Sequence, residues 1–209
     1  MPQEYKTAAG EAVAELTEKR SRFIGHCAPC EGEAAALDFV ARIKALHKTA
    51  THNVWAWTVR QDNLQRYTDD GEPQGTAGLP VLDCLLGRGL TDTAIVVTRY
   101  FGGTLLGKGG LVRAYSAAAA AAIEAAGIAV MASCATIKLS CPYTDYERVL
   151  RLLESFGAAP QSEFAEQVGL RAVIRSGELD LLAEKLRELT SGRVGFVVES
   201  KGFQRLTVE

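Results

Sequence analysis

The sequence predicts an α+β protein of two domains, and three observations carry that prediction. Short β-branched and aromatic runs alternate with amphipathic stretches through the first part of the chain. Residues 94–115 read as a buried strand, a glycine-rich loop and an alanine-rich helix. After residue 133 the pattern becomes β-α-β-β-α-β, the order of a ferredoxin-like split βαβ domain. A complete unit of that kind sets the boundary near Ser133, giving domains at 1–132 and 133–209.

Taken in order, residues 11–18 alternate apolar and polar, and 21–28 form a second apolar run, so Lys19-Arg20 joins a hairpin or closely paired strands. Residues 31–47 space Leu37, Phe39, Val40, Ile43 and Leu46 as an amphipathic helix. Residues 53–60 are a strand by their aromatic and β-branched content, paired with 64–68 across Gln61-Asp62-Asn63. An acidic, glycine-rich loop at 69–75 leads into a helix from Thr76 to Leu86. Pro80 is tolerated in its first turns because the N–H groups there have no intrahelical acceptor. Ile95-Val96-Val97-Thr98 then forms the strand before Gly102, Gly103, Gly107, Gly109 and Gly110. So many glycines cost backbone entropy, so the loop needs positive φ or a close approach to its main chain. Beyond Gly127 the expected elements are strand 133–140, helix 144–155, strands 158–165 and 168–174, helix 178–190 and strand 194–200.

Net charge is −2, with 13 basic and 14 acidic residues before the boundary and 10 and 11 after it. Neither domain is a basic module, which argues against strong non-specific binding to nucleic acid or anionic lipid. The first ten residues hold no apolar core, and the alanine run at 116–132 is too short and too weakly apolar to span a bilayer. Five cysteines, an odd number without an export signal, fit reduced thiols. A cytoplasmic protein with no membrane partner is expected.

Gly102-x4-Gly107-Lys108 matches a phosphate-cradling loop up to its last position, where Gly109 replaces the Ser or Thr that ligates Mg²⁺. Without that hydroxyl, and without NKxD or DxxG sequences, NTP hydrolysis is not expected. Passive anion binding at the helix start stays open, with Arg99, Lys108 and Arg113 adding charge. So does a structural turn in which Gly109-Gly110 lets the helix pack closely. Asp69-Asp70-x-Glu72 has the carboxylates of a hard-cation site, yet Asp-Gly and Glu-Pro are ordinary turn chemistry, and no metal is expected. The same groups with His52 and Thr76 contain the parts of an acid/base pocket. His26-Cys27-x-x-Cys30 is half a zinc site without its second half, and Cys84, Cys134 and Cys141 read as small buried residues. Trp55 and Trp57 share one strand face, which suits either base stacking or a core.

Two blocks carry a resemblance. One is Arg99-Tyr100-Phe101-Gly102-Gly103, Leu106-Gly107, Gly109-Gly110-Leu111 and Arg113-Ala114-Tyr115. The other is Asp69-Asp70-Gly71-Glu72-Pro73, Gly75-Thr76-Ala77-Gly78 and Pro80. With His52-Asn53, Lys19, Ser21 and Phe23 they make the chain resemble the IMPACT/YigZ family in its bacterial two-domain branch. The resemblance implies an N-terminal domain similar to the second domain of a small-subunit ribosomal protein and a tail similar to domain V of elongation factor G. Eukaryotic members act in translational control by competing for the activator of a starvation-responsive initiation-factor kinase. The expectation is therefore a non-enzymatic, translation-linked protein that binds RNA, the ribosome or a translation-related protein, with no cofactor. Its expected binding residues are Arg99, Tyr100, Gly102, Gly103, Gly107, Lys108, Gly109, Gly110 and Arg113, with His52, Asp70, Glu72 and Thr76. The alternative is a small enzyme or phosphate-binding protein whose pocket uses His52, Asp70, Glu72 and Arg99 between the 69–78 and 102–110 loops.

Overall fold

Strand alternation decides where each helix docks. A computed structural model describes residues 4–208, with side chains as far as Arg205. The chain divides into two units, built on Tyr5–Val130 and Met131–Leu206. In the first, β1 (Glu4–Ala8) precedes an antiparallel sheet of β2 (Ala12–Glu18), β3 (Ser21–Pro29), β4 (His52–Val59), β5 (Leu64–Thr68) and β6 (Thr93–Tyr100). The strands run in the order β2-β3-β6-β4-β5. Lys19 and Arg20 both take positive φ (44° and 70°), the primed-turn conformation that matches the twist of a two-residue hairpin.

Helix α1 (Glu33–Leu46) covers one sheet face, while α2 (Gly78–Gly87) and α3 (Lys108–Ala126) cover the other. Ala94 and Val96 therefore face α1, and Ile95 and Val97 face α2 and α3. Trp57 lies against α1 with 1% of its surface exposed, so it is core and not a stacking platform. The alanines of α3 let the helix approach the sheet closely: a Cβ placed on Gly25 of β3 would lie 2.6 Å from Ala118 O and 2.9 Å from Ala122 Cβ.

The second unit runs β7 (Ile128–Cys141), α4 (Tyr143–Ser155), β8 (Gln161–Phe164), β9 (Val168–Arg175), α5 (Leu179–Thr190) and β10 (Phe196–Val208). Its strand order β10-β7-β9-β8, with antiparallel β7–β9 and β8–β9 pairs, is that of the ferredoxin-like fold, and β1 joins the same five-stranded sheet by pairing with β7. Val149, Leu153, Leu182 and Leu186 of the helices close over Ile137, Leu139, Leu170 and Ile174. The protein is α+β, as its sequence predicts.

Boundaries differ where burial leaves no pattern. β8 starts at Gln161 and not at 158, and all four of its residues are exposed. β10 runs to Val208 and not to 200, its residues 197–202 exposed. Helix α2 starts at Gly78 and not at Thr76. The polar start of the chain conceals β1, which is held by hydrogen bonds. Thr7 Oγ1 donates to Asp92 O (2.9 Å) and Ala8 N–H donates to Thr93 Oγ1 (3.1 Å). Among the described residues, no helix is long and apolar enough to cross a membrane.

Candidate functional site

The glycines of the 102–110 loop have separate tasks. A Cβ on Gly102 would lie 2.0 Å from the carbonyl carbon and oxygen of Arg20, so this glycine brings the loop against the β2–β3 turn. Gly103 and Gly107 take positive φ (80° and 72°). Gly110 packs on Leu106, where an added Cβ would meet Leu106 Cβ at 3.0 Å, whereas a Cβ on Gly109 would meet only Arg113 Nη1, at 3.7 Å. Hydrogen bonds hold the loop in place: Phe101 N–H donates to Thr51 Oγ1 (3.0 Å) and Gly102 N–H to Ser21 Oγ (3.2 Å). Among the described residues, no side chain caps the start of α3.

The acidic loop is closed differently. Asp69 accepts from Gly75, Ala77 and Gly78 N–H (2.9, 3.1 and 2.8 Å), so it caps α2 from the preceding loop. Asp70 accepts from Asn53 N–H (2.7 Å) and Lys44 Nζ (3.1 Å). Thr76 is buried and donates to Pro73 O at 2.6 Å.

Glu72 points inward. Its Oε1 accepts from Arg99 Nη1 (2.6 Å) and Tyr115 Oη (2.7 Å), with side chains only 3% exposed at Glu72 and 6% at Arg99. Arg99 also donates from Nη2 to Ser21 Oγ (3.4 Å), lies 5.5 Å from the Phe23 ring centroid and 5.4 Å from that of Phe101, and its buried Nε has no partner among the described residues. Burial first, then the Glu72 carboxylate, raises the Tyr115 phenol well above its ordinary range, so it stays protonated and donating. His52 donates from Nδ1 to Asp70 O (2.7 Å), and its Nε2 stands 3.8 Å from Glu72 Oε1.

These groups form the polar wall of a cleft of about 430 Å³ whose other lining includes Phe101, Leu105, Leu106, Lys108 and Leu111. Leu105 is 83% exposed and Phe101 45% exposed at its rim. Of the residues singled out from sequence, His52, Glu72, Arg99, Gly107 and Lys108 meet here. Asp70 enters only through its carbonyl to His52, and Thr76 is spent on its own turn. Gly102, Gly103 and Gly110 shape the loop, and Gly109 opens α3. Arg113 is exposed on the first turns of α3, outside the cleft lining.

Tyr100 joins a different cluster. His47 Nδ1 lies 3.0 Å from Tyr100 Oη, and its Nε2 lies 3.0 Å from His26 Nε2. Burial, reinforced by His47, lowers the His26 pKa to about 4, and burial with the Arg22 charge lowers that of His47. Sequence spacing does not reveal this pair, since 21 residues separate the two histidines. Ser21 and Tyr115 both stand in the motif blocks of the sequence, but spacing does not reveal that they bond Arg99 and Glu72.

Cys27 faces α2 and α3 while Cys30 belongs to the α1 side, so the two thiols diverge. Burial raises their pKa values to about 12 and about 11, which leaves both unreactive. Cys84 corrects the expectation of a buried thiol: it is half-buried, its Sγ 3.5 Å from Ser116 O. Among the described residues, no group of three or more His, Cys, Asp or Glu side chains has the geometry to hold a metal ion.

Fold and cleft together define an α+β protein of two units whose N-terminal unit carries a largely apolar cleft over a buried carboxylate–arginine pair. Residues 19–123 match the Impact N-terminal domain, and residues 139–193 match a domain of unknown function, DUF1949. The chain is 36% identical over 191 residues to the IMPACT family member YvyE of Bacillus subtilis (strain 168), covering 90% of this chain and 88% of that one. It is 35% identical over 178 residues to the IMPACT family member YigZ of Escherichia coli (strain K12), covering 83% and 87%. A solved structure titled as the crystal structure of an hypothetical protein is similar with a TM-score of 0.62 and 30% identity, covering 96% of this chain and 99% of that one. The chain belongs to the IMPACT family.

Proposed function

We propose that this is a cytoplasmic, non-enzymatic protein acting in translation or its regulation, and that the N-terminal cleft binds a protein component of the translation machinery. The carrying observation is the rim: Leu105 and Phe101 stand exposed on a loop whose backbone is held by Gly102 and Ser21. Apolar side chains kept in water beside a preformed cleft suit a partner that covers them. Family resemblance to translation-protein folds supplies the setting, and the −2 net charge disfavours phosphate backbone as the main ligand. Ribosome co-sedimentation and lysate capture with wild type and Leu105→Asp test it. Capture of a translation protein by wild type but not by the variant is expected, and equal capture by both defeats the reading. RNA binding that weakens steeply with salt, with a slope flattened by Lys108→Ala and Arg113→Ala, would instead identify a nucleic-acid ligand.

A second reading has one observation in its favour. His52 Nε2, Glu72 and the uncapped start of α3 meet in the cleft, which are the parts of a small hydrolase or phosphate-binding site. Flat activity of the wild type in hydrolase and nucleotidase screens, with and without Mg²⁺, counts against it. Turnover lost in His52→Ala supports it.

A further inference from the structure

We propose that the N-terminal cleft binds a carboxylate carried on an apolar stem, the group that an apolar residue presents at the C terminus of the partner polypeptide. The inference rests on the binding reading above. It starts at Arg99, which lines the cleft and is only 5% exposed. Its Nη1 donates to Glu72 Oε1 at 2.6 Å and its Nη2 to Ser21 Oγ at a long 3.4 Å, while its buried Nε has no partner among the described residues. Of the five hydrogens that a guanidinium offers, two therefore have acceptors among the described residues. Enclosed donors left over favour a ligand that accepts.

The start of α3 brings further donors to the same cleft. Gly107 and Lys108 line it, and Leu111 N–H makes the first bond of the helix, to Gly107 O (2.9 Å). The N–H groups of Lys108, Gly109 and Gly110 thus have no acceptor inside the helix. The first turn of this 19-residue helix holds no acidic residue, and Lys108 adds positive charge where the helix dipole is already positive. Thr51, also in the lining, accepts at Oγ1 from Phe101 N–H, so its own hydrogen is left to donate.

Charge and shape then narrow the ligand. Glu72 and Arg99 cancel as an ion pair, so Lys108 and the helix start give the lining its sign, which is positive. A phosphate dianion would set two charges beside Glu72, whereas a carboxylate sets one. The apolar part of the lining, with Phe101, Leu105, Leu106 and Leu111, suits a hydrocarbon side chain next to that carboxylate. Backbone N–H groups capture C-terminal carboxylates in other peptide-binding proteins, and Leu105, 83% exposed, provides area for the residues that precede the terminus.

The test titrates the isotope-labelled full chain with N-acetyl-leucine, its primary amide, hexanoate and inorganic phosphate, following the backbone amide signals of Gly109 and Gly110 by NMR. Saturable shifts with N-acetyl-leucine are expected, about tenfold weaker with the uncharged amide. Tighter binding of N-acetyl-leucine than of hexanoate supports a polypeptide terminus as the source of the carboxylate; the reverse order overturns that source. Gly109→Asp sets a competing carboxylate at the helix start, where a Cβ meets only Arg113 Nη1, at 3.7 Å. It should weaken N-acetyl-leucine by about tenfold without lowering the urea midpoint, because an acidic first turn suits a helix. Gly109→Asn should stay within about twofold of wild type. Equal binding of the amide, tighter binding of phosphate, no saturable shift at Gly109 and Gly110, or wild-type binding by Gly109→Asp overturns the proposal. Capture of a translation protein that is lost in Leu105→Asp but intact in Gly109→Asp overturns only this inference. Carboxylate binding without capture of any translation protein supports the inference and removes the translation reading above.

Discussion

The two units enclose carboxylates in different ways. In the N-terminal unit Glu72 and its arginine are both inside, with side chains 3% and 6% exposed. In the C-terminal unit Asp145 is 5% exposed, but its partner Arg193 keeps 57% of its side chain in water. Enclosing both members of an ion pair strips both of hydration, and attraction restores that only with good geometry and further hydrogen bonds. Tyr115 supplies one such bond to Glu72 and Ser21 one to Arg99. The surrounding cores differ too: alanines and Gly25 where α3 meets the sheet, against leucine, isoleucine and valine in the C-terminal unit. The costly pair lines the N-terminal cleft. The C-terminal unit is a plain aliphatic core whose charged pair stands at the start of α4.

The strongest way to break this contrast is to remove one carboxylate at a time. Glu72→Ala leaves a buried guanidinium unpaired and should cost about 3–5 kcal/mol. Asp145→Ala leaves its arginine hydrated and should cost only about 1 kcal/mol, the size of a first-turn acid at a helix start. Trp55 and Trp57 report urea unfolding of the N-terminal unit for Glu72→Ala, and amide hydrogen exchange of α4 and α5 reports the C-terminal unit for Asp145→Ala. Equal costs for the two variants would erase the distinction.

Acid sharpens the contrast next, because all three histidines, His26, His47 and His52, lie in the N-terminal unit. The His26 pKa falls from 6.5 to about 4 on folding. Between those values the unfolded chain binds a proton that the folded unit refuses, so stability rises with pH there and is lost as pH drops from about 6.5 to about 4. A loss on the order of 2–3 kcal/mol is expected in the tryptophan-detected transition, and His26→Leu should flatten that slope. An unchanged slope in the variant would assign the dependence to other groups.

A smaller effect separates the cores. Gly25→Ala overfills the contact with Ala118 and Ala122 and should cost about 1–3 kcal/mol. If its urea midpoint matches wild type, α3 has room to shift and the close approach is not binding. The smallest effect is Arg113→Ala, an exposed helix position, expected to stay within about 0.5 kcal/mol of wild type. A larger loss would mean that Arg113 supports the fold.

Residue patterns reveal elements that have one dry face. The β2–β3 hairpin, α1, β6 and α3 and the β-α-β-β-α-β order all follow from apolar spacing and turn residues, because burial on one side imposes a period. β1 is too short, and residues 197–202 of β10 too exposed, to show such a period, so the residue pattern omits the first and shortens the second. The same limit applies at the site. His52, Glu72 and Arg99 stand out as polar groups in glycine-punctuated loops, yet spacing alone does not distinguish Glu72, which turns inward, from Asp69, which caps α2, and Asp70, which bonds Asn53 and Lys44. The sequence by itself determined the family, the α+β class and the loops that meet. Tertiary packing decided which of these polar groups meet in the cleft and which are spent elsewhere. That depends on distances between β4, β6, α3 and the 69–78 loop, and such distances are set by side-chain packing across elements far apart in the chain.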